Sequence, residues 1–219
     1  MNHSDSSFDK IAWCYDLMSD LIFGKDLLKA QSSHFDCIPI NAKILVIGGG
    51  SGKNLKNLFA ISKPAHVTYI DASRKMLSQA QNNSKEYASK ILFLHGNESL
   101  IPNQEEFDIV ITNFFLDLFN LKRLQIIISK INNSLKPNAL WLITDFTITG
   151  NSFFLKKKFI KLMYTFFKFI IFIDATMLQD CFKIIESKNF LKVKASNYFY
   201  GIILSVVFKK FKHMDKTSN

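Results

Sequence analysis

The sequence predicts an α/β domain built on a doubly wound, mainly parallel sheet of seven strands. Short apolar runs alternate with helical patterns, as expected when crossover helices join parallel strands. The runs are nearly continuous in apolar residues, which a sheet covered on both faces requires. The first run, ILVI, enters a cluster of glycines at Gly48, a pattern typical of a strand that ends in a ligand-binding turn.

The predicted elements follow one another in a regular order. Strands are predicted over 43–48, 66–71, 91–95, 107–113 and 139–146, because each is a short apolar run bounded by polar or turn residues. Helices are predicted between them over 54–61, 73–82 and 121–135, with Ser73 well suited to cap the second. Two further strands, 191–200 and 202–209, are separated by Gly201, which predicts an antiparallel hairpin that closes the sheet.

A single domain is predicted over residues 1–219, since this length suits one hydrophobic core. It divides into an N-terminal helical cap (8–35), a cofactor-binding core (41–150), a basic and aromatic lid segment (151–189) and closing strands (190–210). Within the lid, Phe153–Ile173 is interrupted by Lys156, Lys157, Lys158, Lys161 and Lys168. A transmembrane span is therefore excluded, whereas an interfacial helix stays open beside the favoured lid.

Positive charge is concentrated in the last third of the chain. The formal net charge is +10, and residues 151–219 contain 13 lysines and 4 acidic residues. Such asymmetry predicts an anionic partner or surface, unless it only reflects a composition rich in Lys, Ile, Asn and Phe. Three scattered cysteines and an N-terminus without an apolar run predict a cytoplasmic protein, and dispersed histidines predict no metal site.

The glycine turn is compatible with three kinds of ligand to different degrees. A phosphate-binding loop of the GxxxxGK[ST] type is excluded, because Ile47 stands at its first glycine and Asn54 at its hydroxyl position. A nicotinamide fingerprint, GxGxxG, is matched only in part, since Lys53 replaces its third glycine. The spacing GxGxG of Gly48, Gly50 and Gly52 fits S-adenosylmethionine, which carries no phosphate and needs close backbone approach.

An acidic residue ends the second predicted strand. Asp71 closes HVTYID, and a carboxylate at that place can accept hydrogen bonds from both hydroxyls of a ribose. Both a nicotinamide cofactor and S-adenosylmethionine contain that sugar, so Asp71 supports a nucleoside ligand without distinguishing the two.

Several segments in order resemble the class I S-adenosylmethionine-dependent methyltransferases. They are ILVIGGGSG, YIDASRKML, FLHGNESL, FDIVITNFFLDLF and LKPNALWLITDF, and the resemblance extends over roughly residues 8–209. The N-terminal FDKIAWCYDLMSDLIFG is similar to the opening of the quinone C-methyltransferase branch of ubiquinone and menaquinone biosynthesis. The resemblance implies a Rossmann-like methyltransferase fold and S-adenosyl-L-methionine as the cofactor.

The resemblance also implies roles for individual residues. The glycine turn would surround the methionine part of the cofactor, Asp71 would hold the ribose, and Asn113 would line the floor near the sulfonium. The full set of implied cofactor contacts is Tyr15, Gly48, Gly49, Gly50, Gly52, Asp71, Ala72, Met76, Asn97, Glu98 and Asn113. One departure is Val46, which stands where the family often has an acidic residue.

Methyl transfer from a sulfonium is an in-line displacement, in which the protein mainly aligns the acceptor and the methyl group. A hydroxyl or carbon acceptor can also need a base. The candidates are Asp117, Asp145 and Tyr164, of which Asp145 at the end of the fifth strand is preferred. Each also has a structural reading, and for Asp145 that reading is a cap of the following segment.

The many phenylalanines and the lysines of the lid predict a hydrophobic or aromatic small-molecule acceptor, such as a quinone precursor, a lipid or a polyketide. One alternative is an RNA methyltransferase, although Asn113-Phe114-Phe115-Leu116 lacks the prolines of the base-amine motif. Another is a non-catalytic protein of the same fold that docks on a membrane through 153–173. A nicotinamide oxidoreductase is the least favoured.

Overall fold

The computed structural model describes residues 25–147 and 181–211, and its central element is a seven-stranded sheet. Its seven strands are β1 (Lys43–Ile47), β2 (His66–Asp71), β3 (Ile91–His95), β4 (Phe107–Asn113), β5 (Leu135–Phe146), β6 (Phe190–Tyr198) and β7 (Ile203–Lys210). They lie in the order β3-β2-β1-β4-β5-β7-β6. The predicted fold class is therefore confirmed.

Helices of moderate length connect and cover the strands. In the described residues they are α1 (Lys25–Ser32), α2 (Leu55–Ser62), α3 (Arg74–Asn83), α4 (Leu121–Ser134) and α5 (Cys181–Glu186). The Ser73 side chain accepts a hydrogen bond from the Met76 backbone N–H, so the predicted cap of α3 is confirmed. No helix in 25–147 or 181–211 is both long enough and apolar enough to cross a bilayer.

The order of the strands reverses next to β1. β1 pairs in parallel with β2 on one side and with β4 on the other, where Leu45 faces Thr68 and Val110. The chain therefore leaves β1 in one direction through α2 and later returns to its opposite side as β4. Connections that diverge at such a point open a crevice at the carboxyl ends of the strands, where ligands of open α/β sheets bind.

An antiparallel hairpin forms the far edge of the sheet, as predicted. β7 pairs with both β5 and β6 in antiparallel fashion. The turn between β6 and β7 uses positive φ angles at Tyr200 (55°) and Gly201 (74°). This short connection allows β7 to enter beside β5 without a crossover helix.

Two apolar layers cover the sheet. On one face α4 presents Leu124, Ile127, Ile128 and Ile131, all essentially buried, at the spacing of one helical stripe. On the other face α2 and α3 contribute Leu58 and Leu77. Burial of each large aliphatic side chain is worth about 1.5–3 kcal/mol, so these stripes hold the helices to the sheet.

The fifth strand begins earlier than predicted. β5 starts at Leu135, although Pro137 and Asn138 resemble a turn and Asn138 has a φ of 65°. Leu135 is fully buried and pairs with Phe107, and a register shift after Phe107 accommodates the irregular residues. Apolar burial of Leu135 thus outweighs the local turn preference.

Two predicted segments lie largely or wholly beyond the part of the chain that the structure describes. Of the lid segment over 151–189, residues 151–180 lie outside the described residues, and these include all of Phe153–Ile173. Of the predicted helical cap over 8–35, only α1 and a short 3-10 turn at Phe35–Cys37 are described.

Candidate active site

The turn after β1 has left-handed backbone at alternate residues. Gly48, Gly50 and Gly52 have φ angles of 64°, 65° and 70°. Residues with a Cβ rarely adopt these angles, so glycine at alternate positions allows the turn to form. The Gly48 N–H donates to the Ile70 carbonyl at 2.9 Å, which ties the start of the turn to β2.

Only one of the four glycines in this turn has open space in the direction in which a Cβ would point. A Cβ on Gly48, Gly49 or Gly52 would lie 2.4 Å from the Phe115 ring, 2.2 Å from the Tyr69 ring and 2.8 Å from the Ala80 Cβ, respectively. A Cβ on Gly50 would meet nothing within 4 Å. Close packing therefore requires glycine at three positions, and the Gly50 side is where a ligand can approach the backbone.

The Asp71 carboxylate organises the turn from the end of β2. Its Oδ2 accepts from the Gly50 N–H at 2.8 Å, and its Oδ1 accepts from the Ser73 N–H at 2.9 Å. The cap of α3 is Ser73, so Asp71 is not itself the residue that caps this helix. A carboxylate oxygen can accept more than one hydrogen bond, as the predicted ribose contact requires.

Tyr69 is a contributor that the sequence reasoning missed. Its hydroxyl donates to the Gly50 carbonyl at 3.0 Å, and its side chain is 1% exposed. The signal was present in the alternation of β2, since Tyr69 and Asp71 are two residues apart and share one face of the strand. Val46, which stands in β1 where the family often has an acidic residue, is buried in the apolar core.

Asparagines secure the far side of the turn. The Asn83 Nδ2 donates to the Ser51 carbonyl at 2.9 Å, which links the turn to the end of α3. The Asn54 Nδ2 donates to Gln31 Oε1, which links the start of α2 to α1. The turn is therefore held by β2, α3 and α1 at once.

The predicted adenine side is built from the ends of β2 and β3. The Ala72 carbonyl lies 3.0 Å from His95 Nε2, and Met76 is buried in α3. The Asn97 Oδ1 accepts from the Ser99 N–H at 2.9 Å and so caps the short turn Glu98–Leu100. These residues surround one edge of the crevice, while their contacts with adenine stay predictions.

The Glu98 side chain binds to α4. Its two oxygens accept from Arg123 Nε at 2.7 Å and Nη2 at 2.9 Å, and both side chains are mostly buried. Burial alone would raise the pKa of Glu98, but the hydrogen bonds and charge of Arg123 outweigh it and lower the pKa. The carboxylate thus ties the turn after β3 to α4, an interaction that the sequence reasoning did not foresee.

Buried aromatic side chains pack at the ends of β4 and β5, where the acceptor is predicted to bind. Asn113 ends β4 half-buried, and Phe114 follows with a φ of 50° and donates its N–H to the Thr144 carbonyl at 2.7 Å. The Phe114 and Phe146 rings are 4.8 Å apart, and the Phe115 ring packs beneath Gly48. The predicted floor residue therefore has phenyl rings as neighbours.

The structure brings together two of the predicted catalytic residues. Asp145 is 0% exposed, and its Oδ2 accepts from the N–H groups of Leu116 (3.2 Å) and Asp117 (3.3 Å) while Oδ1 accepts from Phe146 (2.9 Å). Burial first, and then the charge of nearby Asp117, raise the pKa of Asp145 well above its usual range. The third candidate, Tyr164, and the predicted cofactor contact Tyr15 lie outside the described residues.

This burial sets a condition on any role of Asp145 as a base. A base has to come within hydrogen-bond reach of the proton that it removes. Here the short turn Leu116–Leu118 covers the carboxyl group, which binds three backbone N–H groups. An acceptor could reach Asp145 only after that turn had moved, and in the observed arrangement Asp145 supports the turn.

A family model described as "Methyltransferase domain" matches residues 44–138. The match runs from β1 to the irregular start of β5 and includes the glycine turn, Asp71, Asn97 and Asn113. None of the curated proteins matches the chain.

Solved methyltransferase structures share the fold. A chain of the complex between the Haloferax volcanii Trm112 methyltransferase activator and the methyltransferase solved with it has a TM-score of 0.72 at 13% identity, covering 94% of this chain and 99% of that one. N-methyltransferase NodS from Bradyrhizobium japonicum WM9, in complex with S-adenosyl-L-homocysteine, has a TM-score of 0.63 at 15% identity, with coverages of 85% and 84%. A SAM-dependent methyltransferase from Aquifex aeolicus has a TM-score of 0.62 at 14% identity, with coverages of 92% and 97%.

Proposed function

We propose that the chain, whose residues 44–138 match a methyltransferase domain, is a class I methyltransferase that transfers the methyl group of S-adenosylmethionine to a hydrophobic or aromatic small molecule. The observation that carries this acceptor class is the presence of buried phenylalanines at the ends of β4 and β5. Phe114 packs on Phe146, and Phe115 lies against Gly48, close in sequence to the predicted floor residue Asn113. Apolar rings with few hydrogen-bonding groups suit an acceptor that is itself largely apolar.

The cofactor residues fit their proposed roles chemically. S-adenosylmethionine supplies an electrophilic methyl group on a sulfonium whose leaving group is a neutral thioether. In this proposal Gly50 gives the methionine part close backbone contact on its open side, and the Asp71 carboxylate accepts from the ribose hydroxyls. Alignment of acceptor and methyl group then supplies most of the acceleration, for which well-oriented reactions offer up to about 7–11 kcal/mol.

Proton removal is the second part of the proposal. Asp117 and Tyr164 are the favoured candidate groups, and Asp145 is a candidate only if the turn that covers it moves. Because both Asp145 oxygens bind backbone N–H groups, Asp145 acts in this proposal by holding Leu116–Leu118 in place. An acceptor that loses its proton to solvent, or whose nucleophile is already ionised, needs no buried base.

The finer assignment to the quinone C-methyltransferase branch rests on the N-terminal segment around Tyr15 and Asp16. A quinone precursor is apolar and aromatic, in agreement with the buried phenylalanines at the ends of β4 and β5. Contact of the 153–173 segment with a membrane surface would give access to such an acceptor, and its lysines would favour anionic lipids.

RNA is the second candidate acceptor, since the chain is strongly basic. Three lysines of the closing strands give this candidate little support. Lys192, Lys194 and Lys210 are paired with Glu186, Asp36 and Glu105 at 3.0, 3.0 and 2.9 Å. Cations engaged in ion pairs are less available to phosphates than solvated ones, and we therefore rank a small molecule first.

The test is methyl transfer from methyl-labelled S-adenosylmethionine with three acceptor pools: a lipid extract that contains quinone precursors, a panel of soluble phenols, and total RNA. We expect label in the lipid or phenol pool, and none with Gly50→Val. Label only in RNA would replace the proposed acceptor class. Calorimetric binding of S-adenosylhomocysteine without transfer to any pool would instead favour the non-catalytic alternative.

A further inference from the structure

Both polar backbone groups of Gly50 are bonded to side chains of β2. The Gly50 N–H donates to Asp71 Oδ2 at 2.8 Å, and the Gly50 carbonyl accepts from the Tyr69 hydroxyl at 3.0 Å. Tyr69 and Asp71 are two residues apart in an extended strand, so both side chains point to the same face. Gly50 is therefore held at two atoms by one rigid element.

The Tyr69 ring has little freedom to move. It is buried, lies against Gly49, where a Cβ would be 2.2 Å from its Cζ atom, and packs on Phe93 with ring centroids 5.4 Å apart. A ring fixed on both sides fixes the position of its hydroxyl. The glycine at position 49 thus makes room for Tyr69, and Tyr69 in turn reaches the carbonyl of Gly50.

Gly50 is the residue whose conformation most needs such support. It has a φ of 65° and open space on its side-chain side. Glycine occupies both signs of φ with similar ease, so a peptide unit next to Gly50 would sample several orientations if its carbonyl were unbonded. A ligand would then have to order the turn at the expense of affinity.

We propose that Tyr69 is a positioning residue for the cofactor turn: its hydroxyl holds the Gly50 carbonyl, so that the open side of Gly50 is already arranged for the methionine part of the ligand. The inference rests on the proposed function, in which that part of S-adenosylmethionine lies against Gly50. It predicts a loss that depends on which part of the ligand is present. Adenosine lacks the methionine part and should be insensitive to the Tyr69 hydroxyl.

The test compares S-adenosylhomocysteine and adenosine by calorimetry on the full chain with Tyr69→Phe. This change keeps the ring and its packing and removes only the hydroxyl. We expect affinity for S-adenosylhomocysteine to fall about three- to tenfold, as for one neutral hydrogen bond, with adenosine affinity unchanged. The matched control is Tyr87→Phe, since Tyr87 stacks on Phe59 away from the turn. Gly49→Ala, whose added Cβ displaces the Tyr69 ring, should reproduce the selective loss.

Three outcomes separate this inference from the proposed function. A selective loss for S-adenosylhomocysteine supports the positioning role. Equal affinities in Tyr69→Phe and wild type, or equal losses for both ligands, overturn it, because a merely structural hydroxyl would not distinguish the two ligands. Absence of binding by the wild-type protein overturns the cofactor assignment first, and the inference with it.

Discussion

Arg123 holds both carboxylate oxygens of Glu98, at 2.7 Å through Nε and 2.9 Å through Nη2, although the two residues are 25 positions apart. The guanidinium also lies 4.7 Å from the centre of the Phe119 ring. A planar guanidinium that is paired on its edge and stacked on its face has little freedom. This contact joins the turn that carries Asn97 to α4, so the proposed adenine side depends on a residue outside the crevice.

This pair predicts a pH-dependent contribution to stability. The folded pKa of Glu98 is lowered, so its contribution is present above the unfolded pKa of about 4.3 and is lost as pH falls through the folded pKa. We expect Arg123→Leu to reduce the free energy of unfolding by about 1–3 kcal/mol at pH 7, and by less at pH 3. Urea unfolding at the two pH values measures this.

The control for Arg123→Leu is Lys29→Met, which removes an exposed ion pair of 3.9 Å with Asp26. Exposed pairs contribute little, and we expect a change below about 0.5 kcal/mol. An equal loss at pH 7 and pH 3 in Arg123→Leu would mean that packing on Phe119, and not the Glu98 charge, is what the variant removes.

Removal of the Asp71 carboxylate should weaken the cofactor site without unfolding the sheet. Asp71→Ala loses both the proposed ribose acceptor and the bond to the Gly50 N–H, and we expect binding of S-adenosylhomocysteine to weaken by about 1.5–3 kcal/mol. Asp71→Asn keeps one acceptor oxygen and should fall between. Calorimetry gives both values, and unchanged affinity in Asp71→Ala would contradict the ribose assignment.

Two glycines of the turn should respond differently to the same substitution. Gly50→Val places its side chain in open space, so we expect the fold to persist with a cost of about 1–2 kcal/mol for the positive φ, while ligand binding is lost. Gly52→Val would put its Cβ within 2.9 Å of the Ala80 backbone and should destabilise the protein far more. Thermal unfolding and calorimetry together separate the two effects. Wild-type affinity in Gly50→Val would place the ligand elsewhere.

Sequence patterns were sufficient where local chemistry decides the structure. The apolar runs located β1 to β4, Ser73 located the start of α3, and Asp71 was identified from its place at the end of β2. They were insufficient where a contact joins distant segments. Two examples are the pairing of Glu98 with Arg123 and the packing of Phe115 against Gly48. Both depend on where α4 and the end of β4 lie in the folded chain, and the local spacing of apolar residues does not determine that.

For some residues the sequence indicated their place in the chain but not the contacts that they make. Asp117 and Asp145 were both predicted on the ends of neighbouring strands, yet their mutual approach depends on the short turn after β4. Tyr69 was seen only as an aromatic residue in a strand, because a hydroxyl on a buried ring has many possible partners. The carbonyl of Gly50 becomes the partner only once the turn has formed.

The last prediction concerns the buried carboxyl groups of Asp117 and Asp145, since the negative charge of Asp117 contributes to the raised pKa of Asp145. Because the folded pKa of Asp145 is raised, its contribution to stability is complete below the unfolded pKa of about 3.9 and is lost as pH rises through the folded pKa. Asp117→Asn removes the neighbouring negative charge and offers an amide donor, which lowers the folded pKa of Asp145. The free energy of unfolding should therefore decline less between pH 4 and pH 8 in this variant, by on the order of 1 kcal/mol.

Glu86→Gln, an exposed change of the same charge, is the control. His34, whose pKa burial lowers, titrates in the same range in all three proteins and cancels when each variant is compared with wild type. Parallel pH profiles for Asp117→Asn and wild type would show that the two carboxyl groups do not influence each other's ionisation.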